Sequence, residues 1–155
     1  AASPVSKENL AIAKSWLASS DEYNLLVNGT AITAFPVYYQ NDLALLRQSL
    51  RIVQAGMEVA EVKGKDLIPA HGLAMSRLLK TSVFSTEALT YEQAIAYLRK
   101  EAIVLPPSVP KGYVLVTYKE IPLGFVKNIG NRANNLYPQE WRIRSGYLPD
   151  DIRTL

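Results

Sequence analysis

Residues 112–128 read GYVLVTYKEIPLGFVKN. Tyr113–Tyr118 and Leu123–Lys127 are runs of β-branched and aromatic residues, and Lys119-Glu120-Ile121-Pro122 stands between them. Two such runs around a short polar break predict a β-hairpin. Gly124, inside the second run, predicts a bulge or the close approach of another backbone. Residues 128–138 then hold Asn128, Gly130, Asn131, Asn134, Asn135 and Pro138, the composition of a loop. Glu140–Arg144 alternates Trp141 and Ile143 against Arg142 and Arg144, which predicts one more strand.

Upstream of this hairpin, helices and short strands interleave. Ser3-Pro4 supplies a cap and a proline for a helix over 3–19, with Leu10, Ala13 and Leu17 on one face. Tyr23–Val27, Asn28-Gly29 and Thr30–Phe35 predict a hairpin with a two-residue type I′ turn. Asn41 is placed to cap a helix over 42–50, and Arg51–Val53 and Met57–Val62 read as short strands. Leu67-Ile68 is a strand remnant, 70–80 a helix, and 81–89 a polar connection. Thr90-x-x-Gln93 has the capping-box pattern and opens a helix through Lys100. Ile103–Leu105 reads as a short strand, and Pro106-Pro107-Ser108-Val109-Pro110 as a stiff connector. Antiparallel hairpins with three to four packed helices give an α+β class rather than a doubly wound parallel sheet.

Composition excludes much chemistry. The chain has 155 residues, no cysteine and one histidine, His71. Thiolate nucleophiles, disulfides, thiolate metal sites and histidine-rich metal sites are therefore absent from the sequence. No apolar run approaches the ~20 residues of a membrane span, and residues 1–20 lack a signal-peptide core. There is no phosphate-binding glycine loop. His71 follows Ile68-Pro69-Ala70 at a helix start, where a structural role outweighs a catalytic one. No metal ligands and no catalytic residues are assigned.

The charge is unevenly placed. Residues 1–110 hold ten basic and ten acidic groups, so the net +3 arises wholly in 111–155. Aromatics are interleaved there: Tyr113, Tyr118, Phe125, Tyr137, Trp141 and Tyr147. Basic side chains neutralise phosphates and aromatic faces meet unstacked bases, but a solvated basic face beside core aromatics has the same composition.

Gly112-Tyr-Val-Leu-Val-Thr-Tyr118, Pro122-Leu-Gly-Phe-Val-Lys127 and Asn134-Asn-Leu-Tyr-Pro138 followed by Arg142 resemble the C-terminal end of the Sun-family RNA cytosine-5 methyltransferases, in their RsmF-type branch. In that family a PUA-like RNA-binding module carries a Pro-Leu-Gly-aromatic-x-Lys strand and a Lys/Asn-Asn-x-Tyr-Pro loop. Leu50–Val53, Gly56–Lys63 and Pro69–Ala74 resemble the region that precedes it. The likeness covers roughly 23–144. Many relatives have lysine where this chain has Asn134, and Arg132 is the nearby candidate for that charge.

The resemblance implies a PUA-like β-barrel at the C-terminal end. The whole is expected as one compact unit, subdivided into an α/β portion over 1–82, an RNA-binding module over 83–147 and a tail over 148–155. It further implies a cytoplasmic RNA-binding accessory domain of a ribosomal RNA 5-methylcytosine methyltransferase. Such enzymes hold S-adenosylmethionine in a Rossmann-like domain and use two cysteines, neither of which this chain has. The chain is therefore expected to be non-catalytic and without a cofactor, either a fragment of a larger enzyme, which the start at Ala1 favours, or a domain that stands alone; its expected partners are RNA and the catalytic domain. Lys111, Lys127, Arg132, Arg142 and Arg144 are the expected phosphate contacts. Asn128, Asn134 and Asn135 are expected to order the loop or touch base edges, and Tyr137 to stack or to serve the core. The competing reading is a protein-interaction module that docks on a catalytic domain or a ribosomal protein.

Overall fold

The computed structural model describes residues 4–36 and 56–144. The helix expected over 42–50, the strand expected over 51–53 and the expected tail lie outside the described residues. The chain forms two compact units, 1–83 and 84–155. The class is α+β: among the described residues there are two four-stranded sheets and three α-helices. Neither sheet closes on itself in its hydrogen-bonded order among the described residues.

The first unit opens with helix α1, Lys7–Ser15. Its cap is Ser6, whose hydroxyl accepts from the Asn9 amide at 3.0 Å, so the start lies later than Ser3-Pro4. The helix also stops early. Leu17 leaves it to bridge Leu79, and the Ala18 and Lys80 amides bond across at 2.7 Å each. Strands β1 (Tyr23–Asn28), β2 (Ala31–Pro36), β3 (Met57–Lys63) and β4 (Asp66–Pro69) form an antiparallel sheet in that order. In the first hairpin Asn28 pairs with Ala31, so the turn is Gly29-Thr30, one residue later than expected. Gly29 alone of the two has positive φ (65°), the pattern of a type II′ turn. Buried Ile32, Ala34, Val59, Ala60, Val62, Leu73 and Ala74 supply much of the core of this unit.

The helix expected over 70–80 shrinks to one turn, α2, His71–Ala74. The cause is local. The Ser76 hydroxyl accepts from the Leu78 amide at 2.7 Å, replacing a helical bond, and the chain straightens so that Leu79 reaches Leu17.

The second unit carries β5 (Ser85–Ala88), α3 (Tyr91–Leu98), β6 (Gly112–Tyr118), β7 (Ile121–Asn128) and β8 (Ala133–Asn135), with sheet order β5-β6-β7-β8. β5 falls where a polar connection was expected. It pairs parallel to β6 as an edge strand, a position that tolerates Ser85, Thr86 and Glu87. β6 and β7 are the expected hairpin. Their turn is Lys119-Glu120, both at positive φ (48° and 69°), as a type I′ turn requires. The ladder shifts register beside Gly124, whose φ is 151°, so the expected bulge is present. Ile103 contributes only a bridge to Ala133. The strand expected over 140–144 is a 3₁₀ turn, Gln139–Trp141, followed by an extended segment outside any ladder. Pro138 precedes that turn, and the Ile143 amide donates to the Leu98 carbonyl at 2.8 Å instead.

Helix α3 lies on the sheet face made by Val114, Val116, Val126 and Ala133, with Tyr97 fully buried among them. The capping box is complete: Thr90 Oγ1 accepts from the Gln93 amide and Gln93 Oε1 accepts from the Thr90 amide. The far end is a Schellman turn. Glu101 N–H donates to Ala96 O and Lys100 N–H to Tyr97 O, with Lys100 at φ 69°. Glycine is the usual residue there. Lys100 instead sends its ammonium to the carbonyls of Asn135 (2.7 Å) and Tyr137 (2.6 Å). Asn135 answers with its amide, donating to Tyr97 O and Glu101 O at 2.8 Å each. The Tyr97 hydroxyl donates to Phe125 O at 3.0 Å. Burial, with Tyr137 adding to it, pushes the Tyr97 phenol above the ordinary tyrosine range, so it remains a neutral donor.

Two outcomes follow for stability. Thr90→Ala costs about 1 kcal/mol in urea unfolding, the usual loss for a cap. Asn135→Ala costs about 3 kcal/mol, because it removes three hydrogen bonds at once. In the first unit, burial holds the His71 imidazole below the ordinary histidine range. The unfolded chain then binds the extra proton, so stability falls as pH drops below ~6.5. Glu58 on β3, raised by burial and by Glu61, works in the opposite direction at lower pH. The difference in melting temperature between the natural chain and His71→Gln should therefore shrink steadily from pH 7 to pH 5.5.

Candidate functional site

The basic residues of the second unit divide between two places. Gly112 pairs with Asn128 and Asn128 with Ala133, so one end of the β6-β7-β8 ladder carries Lys111 and Arg132 just outside it. Both are exposed, and neither is paired with a carboxylate among the described residues. The 129–132 turn is closed by Ile129 N–H donating to Arg132 O at 3.0 Å. The Lys111 side chain lies across this turn. A Cβ on Gly130, whose φ is 107°, would stand 3.2 Å from Lys111 Cε. One rung inward, Lys127 pairs with Tyr113 on one side and Asn134 on the other. Residues paired across antiparallel strands share a face, so these three side chains form a row. The Lys127 ammonium stands 5.7 Å from the Tyr113 ring centroid. All three residues are half-exposed.

Arg142 and Arg144 belong elsewhere. They sit on the extended segment that Ile143 ties to the C-terminal end of α3. Arg142 is half-buried and Arg144 exposed. Tyr137 precedes them with its ring between Tyr97 (centroids 5.4 Å apart) and Trp141 (6.4 Å), and Trp141 is 60% exposed.

The asparagines differ sharply. Asn128 is buried and fully engaged: its amide donates to Val109 O (3.2 Å) and Pro110 O (3.0 Å), and its carbonyl accepts from the Gly130 amide (3.1 Å). It fastens the proline-rich connector to the 129–132 turn. Asn135 is engaged with the end of α3, and its Oδ1 accepts from the Tyr137 amide at 2.8 Å. Their geometry accounts for loop ordering. Asn134 makes no side-chain hydrogen bond within the described residues. Sequence reasoning placed Tyr113 among the interleaved aromatics but did not select it. The cross-strand register brings it beside Lys127, and composition carries no signal for that neighbour.

A second feature is apolar. A half-open hollow of about 180 Å³ lies between α3 and the β6–β7 turn, lined by Tyr91, Ile95, Leu98, Tyr118, Ile121 and Leu123. Ile121 is 64% exposed at its rim. Among the described residues no cluster of His, Asp and Glu is arranged to hold a metal ion, and no helix is long and apolar enough to cross a membrane.

Comparison with known proteins places this unit. The family model described as the methyltransferase RsmF PUA domain matches residues 84–143. The chain is also similar to proteins named ribosomal RNA small subunit methyltransferase F. It is 32% identical over 117 residues to that of Enterobacter sp. (strain 638), covering 76% of this chain and 23% of the relative. For that of Shewanella piezotolerans the identity is 28% over 120 residues, covering 77% and 24%. For that of Shigella boydii serotype 4 it is 30% over 114 residues, covering 74% and 22%. The chain thus spans about a quarter of the length of the curated relatives it matches. Residues 84–143, from β5 through the segment that caps α3, belong to the methyltransferase RsmF PUA domain family.

Proposed function

We propose that this chain is the RNA-binding accessory portion of a ribosomal RNA 5-methylcytosine methyltransferase, and that it positions structured RNA for a catalytic domain elsewhere in such an enzyme. The observation that carries the reading is the cluster of Lys111, Lys127 and Arg132 at one end of a sheet within the matched family segment. Three cations, Lys127 on β7 and Lys111 and Arg132 just before β6 and β8, suit a phosphate backbone; beside them stand a tyrosine and an amide that makes no side-chain hydrogen bond within the described residues. Arg142 and Arg144 would extend the contact along the end of α3. The barrel implied by the family is part of this proposal. Its support is the β5-β6-β7-β8 order, extended by the Ile103–Ala133 bridge.

The chemistry would lie outside the chain. With no cysteine and no glycine-rich turn, these 155 residues offer neither the attacking thiolate nor a cradle for S-adenosylmethionine. That cofactor and the methyl transfer belong to the remaining length of such an enzyme. A cytoplasmic location follows from a ribosomal RNA target.

A second reading, docking on a catalytic domain or a ribosomal protein, is favoured by one observation. The hollow beside α3 is lined mainly by apolar and aromatic side chains, with Lys119 among them, and has an exposed isoleucine at its rim.

A salt titration separates the two. Filter binding of a ribosomal RNA fragment should weaken steeply with salt, and Lys127→Ala with Arg132→Ala should reduce the slope of log K against log salt by about 2, one per lost phosphate contact. An unchanged slope and affinity in the double variant would remove these residues from the interface. Binding of RNA too weak to measure at low salt would favour the docking reading.

A further inference from the structure

We propose that Tyr113, Lys127 and Asn134 form a seat for one unstacked nucleotide of single-stranded RNA. The proposal rests on the RNA-binding reading above and narrows it from RNA in general to an exposed base. Three independent features of the second unit converge on it. The register places Tyr113 beside Lys127 and Lys127 beside Asn134, on three consecutive strands and one face. The row therefore spans two strand spacings, about 10 Å, which is the reach of one nucleotide and short of a duplex groove. The three side chains also differ in kind. An aromatic ring stacks on any base, an ammonium meets its phosphate, and a carboxamide both donates to and accepts from a base edge.

The third feature is selective. Asn128 and Asn135 are committed to backbone partners. Asn134 lies within seven residues of both, is half-exposed, and has a side chain with no hydrogen bond within the described residues. An amide held on a strand, in register with a lysine and a tyrosine, is positioned without bonding to any other described residue. The Lys127 ammonium over the Tyr113 ring keeps both side chains on the same spot of the sheet. Lys111 and Arg132, two residues outward from Tyr113 and Asn134, then face the phosphates of the flanking nucleotides.

The test uses the 155-residue chain and two probes: a short single-stranded RNA carrying one 2-aminopurine, and a blunt RNA duplex of the same sequence. The seat predicts that the natural chain quenches 2-aminopurine on binding, as a stacked base is quenched. Tyr113→Ala should weaken the single strand about tenfold and abolish the quench, while leaving the duplex affinity unchanged; base–aromatic stacking is of that size. Tyr113→Phe should retain both properties. Asn134→Ala removes an amide that the fold does not use, so it folds normally and should flatten the preference among single-stranded homopolymers. Tyr113→Ala without effect, or with equal loss for both probes, overturns the seat while RNA binding stands. If Tyr113→Ala does not fold, an unaltered base preference in Asn134→Ala overturns it. If the natural chain binds neither probe, the RNA-binding reading fails and the seat fails with it.

Discussion

The second unit depends on how the last turn of α3 satisfies its carbonyls. A helix ends with four carbonyls that have no partner inside it. Here the Schellman turn takes those of Ala96 and Tyr97 and the Ile143 amide that of Leu98, while the Asn135 amide adds a second donor to Tyr97 and reaches the Glu101 carbonyl just beyond the helix. Lys100, held at positive φ by the Schellman turn, returns the contact through its ammonium to the Asn135 and Tyr137 carbonyls. The exchange runs both ways, so β8 and the helix end are fixed to one another. Side chains alternate along a strand. With Asn135 drawn inward to the helix, Asn134 is forced to the opposite face, beside Lys127. The residue that closes the fold also sets the orientation of the half-exposed amide beside Lys127.

Much of the fold was legible wherever a local rule acted alone. The β6–β7 hairpin, the bulge at Gly124 and the capping box of Thr90 and Gln93 all follow from short-range stereochemistry, and all three are present. Failures occur where a distant partner overrides local preference. Leu17 and Leu79 have helical surroundings but pair with each other, and both flanking helices end short to allow it. β5 is written in Ser, Thr and Glu, a poor strand composition, and exists because an edge position beside β6 is available. β8 is three residues long inside a loop composition, and only its ladder with β7 defines it.

The candidate site was legible in composition and not in arrangement. Three asparagines of the loop read alike in sequence. Two are structural because of carbonyls contributed by Val109, Pro110, Tyr97 and Glu101, residues that periodicity does not bring near them. The basic residues read as one patch in sequence, whereas the ladder groups Lys111, Lys127 and Arg132 and leaves Arg142 and Arg144 with the helix end. Tyr113 stood in plain view among other aromatics. Its distinction is its pairing with Lys127, which is a property of register.

The parallel pairing of β5 with β6 has a consequence for the order in which the unit assembles. Ser85 meets Val114 only after the chain has passed through α3 and the proline-rich connector. The β6–β7 hairpin and α3 close over short loops and lose little chain entropy, but the β5 edge must await a docked helix. Docking of α3 before β5 pairs predicts that weakening its Thr90 cap slows folding more than it hastens unfolding. During synthesis, β5 emerges first and pairs last, so the edge strand spends the interval without its neighbour. Its polar sequence, which hid it from a reading based on strand preference, keeps that exposed segment from associating with other chains.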